Sequence, residues 1–180
     1  MWYSWSGTKK PEEELQQSST DHFNAPKPKA RSVHCFPALL DPTDTPSIDS
    51  LHALHPSATE IQYLWKKFLE NVHPLVMIFF DWEVEAIVRK ASQDPSRLPR
   101  GEQALVLAIC FISTLSLSEE ECVGSLQDKK SQLLDRFQRA VEGSLLIAEF
   151  LITSDRFVLQ AFILYLAYLP RCRAFRDLQI

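Results

Sequence analysis

Apolar residues recur with the period of a helix along residues 57–169, and the first segment to do so is "ATEIQYLWKKFLENV". Ile61, Leu64, Trp65, Phe68, Leu69 and Val72 fall three and four apart, which puts them on one face. Ser57 and Glu60 open it as an S-x-x-E capping box, in which each side chain satisfies a free amide at the helix start. Pro74 predicts its end, because the residue before a proline is pushed out of helical geometry.

"PLVMIFF" is apolar throughout and is expected to cross the core in extended form. Asp81 is expected to cap a second helix, with Glu83 and Glu85 near its positive end and Arg89 and Lys90 near its negative end. Its buried stripe is Val84, Ile87, Val88 and Ala91. "SQDPSRLPRG" reads as a loop, and residues 102–117 as a helix apolar on nearly every side, hence central. Ser118 and Glu121 make a second capping box, opening a short helix through Leu126. Residues 129–152 are the longest predicted helix, with a broad apolar face running from Leu133 to Leu151 and Ile152. "TSD" at 153–155 recaps the chain for a last helix over 155–169, stopped by Pro170. The fold class expected is all-α, an antiparallel bundle or array of about six helices, since short links imply antiparallel neighbours. The last helix is apolar almost all round, so Phe157, Leu164, Tyr165 and Tyr168 are expected to include residues left partly exposed.

Ahead of this ordered part, residues 1–54 show no sustained period. "KKPEEELQQSST", "APKPKAR" and "DPTDTPSIDS" are rich in charge, Ser, Thr and Pro, and bury too little apolar area to offset the entropy of ordering. They read as a disordered leader, 1–54, before an ordered region, 55–180; the aromatic start MWYSW has no functional account. A net charge of −4 argues against a chain that grips nucleic acid through its overall field. Cys35, Cys110, Cys122 and Cys172 form no C-x-x-C pair and no secretory signal precedes them, so reduced thiols in the cytosol or nucleus are expected. The apolar runs at 104–112 and 157–169 are shorter than the roughly 20 residues a membrane span needs.

Sites of chemistry are sparse. His34 and Cys35 are adjacent but have no companion ligand, and His52 and His55 precede the first helix without a thiol or carboxylate in register. His73 is expected to pack or cap. No G-x-S-x-G, P-loop or dinucleotide fingerprint is present. The carboxylates of "SEEEC" compensate a helix dipole, and Lys66 and Lys67 form a solvated face.

"HPSATEIQYLWKKFLENVHPLV" followed by "ALVLAICFISTLSLSEEEC" resembles the opening of the fungal-specific transcription factor domain, the regulatory middle region of fungal binuclear zinc-cluster transcription factors. The motif string is carried by His55 and Pro56, then Leu64, Trp65 and Phe68, then Asn71, Val72, Pro74 and Leu75. It continues with Ser118, Glu121 and Cys122, then Thr153, Ser154 and Asp155, and ends at Leu159, Gln160 and Phe162. The likeness spans about residues 55–170. It implies a nuclear transcription regulator, and many members with this string act in secondary-metabolite gene clusters. Two features depart from the family. Members carry six cysteines holding two zinc ions, whereas this chain has only Cys35 before residue 100, and the family domain continues into more helices. The resemblance therefore implies the first half of a regulatory domain, with no metal, cofactor or catalytic residue of its own; zinc is expected only in a full-length member. It implies a protein partner or a homo- or heterodimer, DNA contact only indirectly or through a missing zinc cluster, and no membrane. Alternatives are an interaction module that modulates a full-length relative, a truncated paralogue without function, and a small helical enzyme with dispersed catalytic side chains.

Overall fold

The computed structural model describes residues 48–176. The leader over 1–47, with its MWYSW start and the His34–Cys35 pair, lies outside the described residues, as do the side chains of Tyr168 and Cys172. Among the described residues every regular element is helical. The α-helices are α1 (Ile48–Leu54), α2 (Ala58–Asn71), α3 (Asp81–Gln93), α4 (Arg100–Ser116), the single turn α5 (Glu119–Glu121), α6 (Lys130–Ile147) and α7 (Arg156–Arg176), and a 3-10 turn at Pro95–Arg97 lies in the stretch read as a loop. The stretch read as leader thus ends in a helix, α1, whose Leu51 is buried.

α4 is the hub. Residues 104 to 111 are all buried, and α2, α3, α6 and α7 pack against it. Its two buried hydroxyls are satisfied within the helix: Ser113 Oγ donates to Ile109 O at 2.6 Å and Thr114 Oγ1 to Cys110 O at 2.8 Å. This is what an all-round apolar helix requires, since each face must meet another element. α2 and α3 each bury the stripe that their periodicity predicts.

Both capping boxes form, at Ser57–Glu60 and Ser118–Glu121. Asp81 does not cap. Phe80 holds the N-cap position of α3, and the Asp81 carboxylate lies 2.8 Å from His73 Nε2 instead. "PLVMIFF" does not cross the core either. It runs over the surface as a strap whose side chains alternate as far as Ile78, Val76 and Ile78 half-buried against exposed Leu75 and Met77, before Phe79 turns into the core. An extended segment with a core on one side only can bury one residue in two.

The later helices depart further from the pattern. α5 widens into a π turn over Cys122–Leu126 and ends at Gln127, with φ 60°. α6 stops at Ile147, five residues early. Glu149 takes φ 51°, while its N–H reaches Leu146 O at 3.0 Å and the Phe150 N–H reaches Leu145 O at 3.1 Å. That is the Schellman ending, and it turns Leu151 and Ile152 out to solvent. α7, not α6, is the longest helix, and it runs past Pro170. Proline forfeits one backbone bond and bends a helix without having to stop it. Leu164 and Tyr165 are fully buried against expectation, Phe157 is half-buried in line with it, and the large apolar side chains that α7 exposes among the described residues are Leu159 and Ile163.

Candidate functional site

The motif residues of the sequence serve as core and as joints, spread over the fold rather than gathered round one cavity. His55 and Pro56 lead into α2, with Pro56 buried and His55 Nδ1 3.1 Å from Pro56 O. Leu64, Trp65, Phe68 and Val72 enter the core, where Trp65 stacks on Phe68 at 5.7 Å and Phe68 on Phe79 at 5.5 Å. Pro74 and Leu75 are exposed in the strap. Cys122 is buried beneath α5.

Three polar joints fix these segments to each other. At the first, α2 meets the α4–α5 corner: Asn71 Nδ2 donates to Ser116 Oγ at 3.1 Å, and Lys67 Nζ lies 3.1 Å from Glu121, the capping-box carboxylate. Lys130 closes the same corner, its ammonium donating to Leu115 O at 3.1 Å and Leu117 O at 2.5 Å while its N–H reaches Glu119 at 3.2 Å. Cations suit the carbonyl end of a helix, and this one neutralises the end of the hub.

The second joint is the Thr153–Ser154–Asp155 turn. Thr153 Oγ1 accepts from the Asp155 N–H at 3.2 Å, and Asp155 Oδ1 accepts from the Phe157 N–H at 2.9 Å, capping α7; Ser154 is exposed. The Asp155 carboxylate also presses on Gly101, where a Cβ would stand 2.1 Å from Oδ2, so only glycine lets the start of α4 approach this cap. Arg100 donates to Ile147 O at 3.2 Å beside it. The third joint ties α7 to the strap and to α3: Gln160 Nε2 donates to Ile78 O at 2.9 Å, and Arg156 pairs with Glu83. Leu159 faces out, and the Phe162 ring meets Phe150 at a tilt, centroids 4.9 Å apart.

Two polar clusters escaped sequence reasoning, because each joins residues far apart in the chain. Arg136 of α6 pairs with Glu60, 76 residues away, and stacks over Phe137 at 4.5 Å. Glu60 thereby serves the α2 capping box and the α2–α6 contact together. Burial pushes its carboxyl up, but the Ser57 amide and the Arg136 guanidinium hold it below the usual carboxylate range. Between α6 and α7, the buried Glu142 carboxylate accepts from Tyr165 Oη at 2.5 Å and from Gln138 Nε2 at 2.8 Å.

His55 carries a pH prediction. Its Nε2 is buried without a hydrogen-bond partner, and burial lowers its pKa below the ordinary histidine value. The Pro56 carbonyl and Glu60 oppose that shift, while His52 adds to it. The folded state therefore disfavours the imidazolium. The neutral ring contributes its full stability above the unfolded value of about 6.5, and that contribution is lost as pH falls through it toward the folded pKa. The melting temperature of the wild type is expected to drop more steeply between pH 7.5 and 5.5 than that of His55→Gln. Equal slopes would count against it.

Among the described residues no three His, Cys, Asp or Glu side chains converge as a metal site, and no helix is long and apolar enough to cross a membrane. Burial raises the pKa of both Cys110 and Cys122, which keeps them protonated and poor nucleophiles. An open polar cavity of about 230 Å³ lies at the second joint, lined by Arg100, Glu149, Thr153 and Asp155. An apolar hollow of about 240 Å³ lies beside Phe150, Leu151 and Ile152. Neither holds a paired nucleophile and base.

With helices and joints in place, comparison with known proteins defines the class: over some two thirds of its length the chain is related to fungal transcription factors. It is 34% identical over 141 residues to the Aurofusarin cluster transcription factor aurR2 of Gibberella zeae, matching 72% of this chain and 21% of that protein. It is 33% identical over 117 residues to the Transcriptional regulator AacuB of Aspergillus aculeatus, matching 65% of this chain and 16% of the relative. A third relative, the Pyriculol/pyriculariol biosynthesis cluster transcription factor 1 of Pyricularia oryzae, is 33% identical over 124 residues, matching 69% and 16%. The chain thus spans about a fifth or less of the length of these relatives. No family model matches it, and no solved structure does.

Proposed function

We propose that this chain is a transcription regulator of the fungal zinc-cluster kind, acting in the nucleus on a secondary-metabolite gene cluster. In this reading it corresponds to part of the regulatory domain, works through protein contacts and has no catalytic role. The observation that carries the reading is the 34% identity over 141 residues to aurR2, named for the aurofusarin cluster, joined by the Pyricularia oryzae relative whose name specifies a biosynthesis cluster. The arrangement of motif residues as core and joints supports it, since a scaffold of this kind presents surfaces rather than a reaction centre. A second reading, an interaction module that modulates a longer relative, draws on the exposed apolar side chains of Leu75, Met77, Phe80 and Trp82, which suit a protein contact.

Both readings are tested in the source organism. Deleting the gene is expected to change the transcripts of one co-located set of biosynthetic genes several-fold and to leave distant genes level. An unchanged transcriptome under conditions where the gene is expressed would overturn the proposal. Elemental analysis of the purified chain is expected to find no stoichiometric zinc; about two ions per chain would show that it carries a metal cluster after all.

A further inference from the structure

The sulfur atoms of the described side chains divide by access. Cys110 and Cys122 are 1% and 0% exposed, and burial keeps both thiols protonated, so an oxidant meets neither an open path nor a thiolate. Met77 is the opposite case, 76% exposed. A thioether carries no proton, so its lone pair is nucleophilic at any pH and exposure decides how fast it reacts.

The backbone explains why this side chain stands out. The Ile78 N–H reaches back to Val76 O at 3.1 Å, a three-residue turn with Met77 at its apex. Val76 and Ile78 pack on the core at either side of it, and Gln160 fixes the Ile78 carbonyl. The inward positions are thus taken, and Met77 is left facing water. Its companions are apolar and exposed as well: Leu75 before it on the strap, then Phe80 and Trp82, whose rings stack at 6.3 Å. Methionine in such company suits a contact surface, because a flexible, polarizable thioether adapts to many shapes.

We propose that Met77 is a redox modification site, where hydrogen peroxide converts the thioether to the sulfoxide and turns an apolar contact surface polar. The sulfur lone pair attacks one peroxide oxygen, and the O–O bond breaks as the S–O bond forms. The departing hydroxide takes the proton from the transferred oxygen and leaves as water. Sulfur loses two electrons and the peroxide gains them. The product carries a strong hydrogen-bond acceptor at the apex of the strap, and a dry contact would leave that oxygen without a donor. The change is reversible, because the sulfoxide is a substrate for methionine sulfoxide reductases, one for each epimer. The fold is unaffected, since Met77 is not among the side chains packed on the core. The consequence rests on the second reading of the function, in which this surface contacts another protein; the chemistry does not.

The test treats the 180-residue chain with dilute hydrogen peroxide and follows each sulfur by peptide mass spectrometry. Met77 is expected to oxidise within about three-fold of the rate of N-acetylmethionine amide, as an unshielded thioether should, while Cys110 and Cys122 stay thiols. The oxidised chain is expected to elute earlier from a hydrophobic-interaction column with its thermal melt unchanged, and the two reductases together should restore the original elution. Met77→Leu should elute like the untreated wild type and ignore peroxide, although Met1 remains in it. Oxidation at Met77 more than about ten-fold slower than the small amide would show a shielded sulfur and overturn the site. An unshifted elution of the sulfoxide, or an equal shift in Met77→Leu, would overturn the switch of surface character. Both readouts are chemical, so a silent gene deletion would sink the functional reading and leave this result standing.

Discussion

Replacing Phe68 with alanine is expected to destabilise the chain by about 3–5 kcal/mol, the range for truncating a buried phenylalanine. Phe68 has no exposed surface and is the middle ring of a stack, with Trp65 on one side at 5.7 Å and Phe79 at 5.5 Å. His73 adds a tilted contact at 6.1 Å. Its neighbours cannot collapse into the space. Trp65 is fixed one turn earlier on the same helix, and Phe79 is anchored through a strap that Gln160 holds at Ile78. A residual cavity is therefore expected, and with it the upper part of the range. Since a whole domain is stable by only about 5–15 kcal/mol, this single change removes a large share. Urea unfolding followed by circular dichroism should show a lower midpoint at unchanged slope. A loss under about 1 kcal/mol would mean that the strap repacks, and that the stack does not organise this end of the core.

Tyr165→Phe is expected to cost about 1–3 kcal/mol, although it removes a single oxygen. That oxygen donates to Glu142 Oε1 at 2.5 Å inside the α6–α7 contact, where the only other donor to that carboxylate oxygen among the bonds described is Gln138. Without it a buried carboxylate keeps its desolvation cost and loses its closest donor. Adding Glu142→Leu should restore much of the loss, because it removes the buried carboxylate itself and leaves only the half-buried Gln138 amide to turn toward water. A double-mutant cycle reads this directly, and a coupling of about 0.5–3 kcal/mol is expected. If Tyr165→Phe costs as much in the Glu142→Leu background as in the wild type, the two groups are not coupled and the prediction fails.

Local features were legible in the sequence wherever a helix has a single buried face. In α2 and α3 the apolar stripe named the buried residues, and the capping boxes at Ser57 and Ser118 marked two helix starts. α7 was another matter. A helix apolar all round carries no stripe, so the inward arc is chosen by α4, and nothing along the chain could distinguish buried Leu164 from exposed Ile163. The end of α6 was hidden for a different reason. A left-handed residue after a helix is usually glycine or asparagine, and here it is Glu149. Asp81 misled because a carboxylate before a helix has two uses, and His73, eight residues back, claimed it. The motif residues themselves were found, but their work as joints depends on partners such as Ser116, Ile78 and Gly101 that no spacing reveals.

Lys130 has a consequence for how the molecule breathes. Its ammonium holds the last carbonyls of α4, and its own amide begins α6 on Glu119. Fraying at either helix end must therefore undo a charge-assisted contact of the other, so the two ends open together or not at all. The hub and α6 then share one cooperative unit of exchange. A disturbance that reaches the α5 turn is transmitted to both as a change in how often they open, with no shift in their average positions.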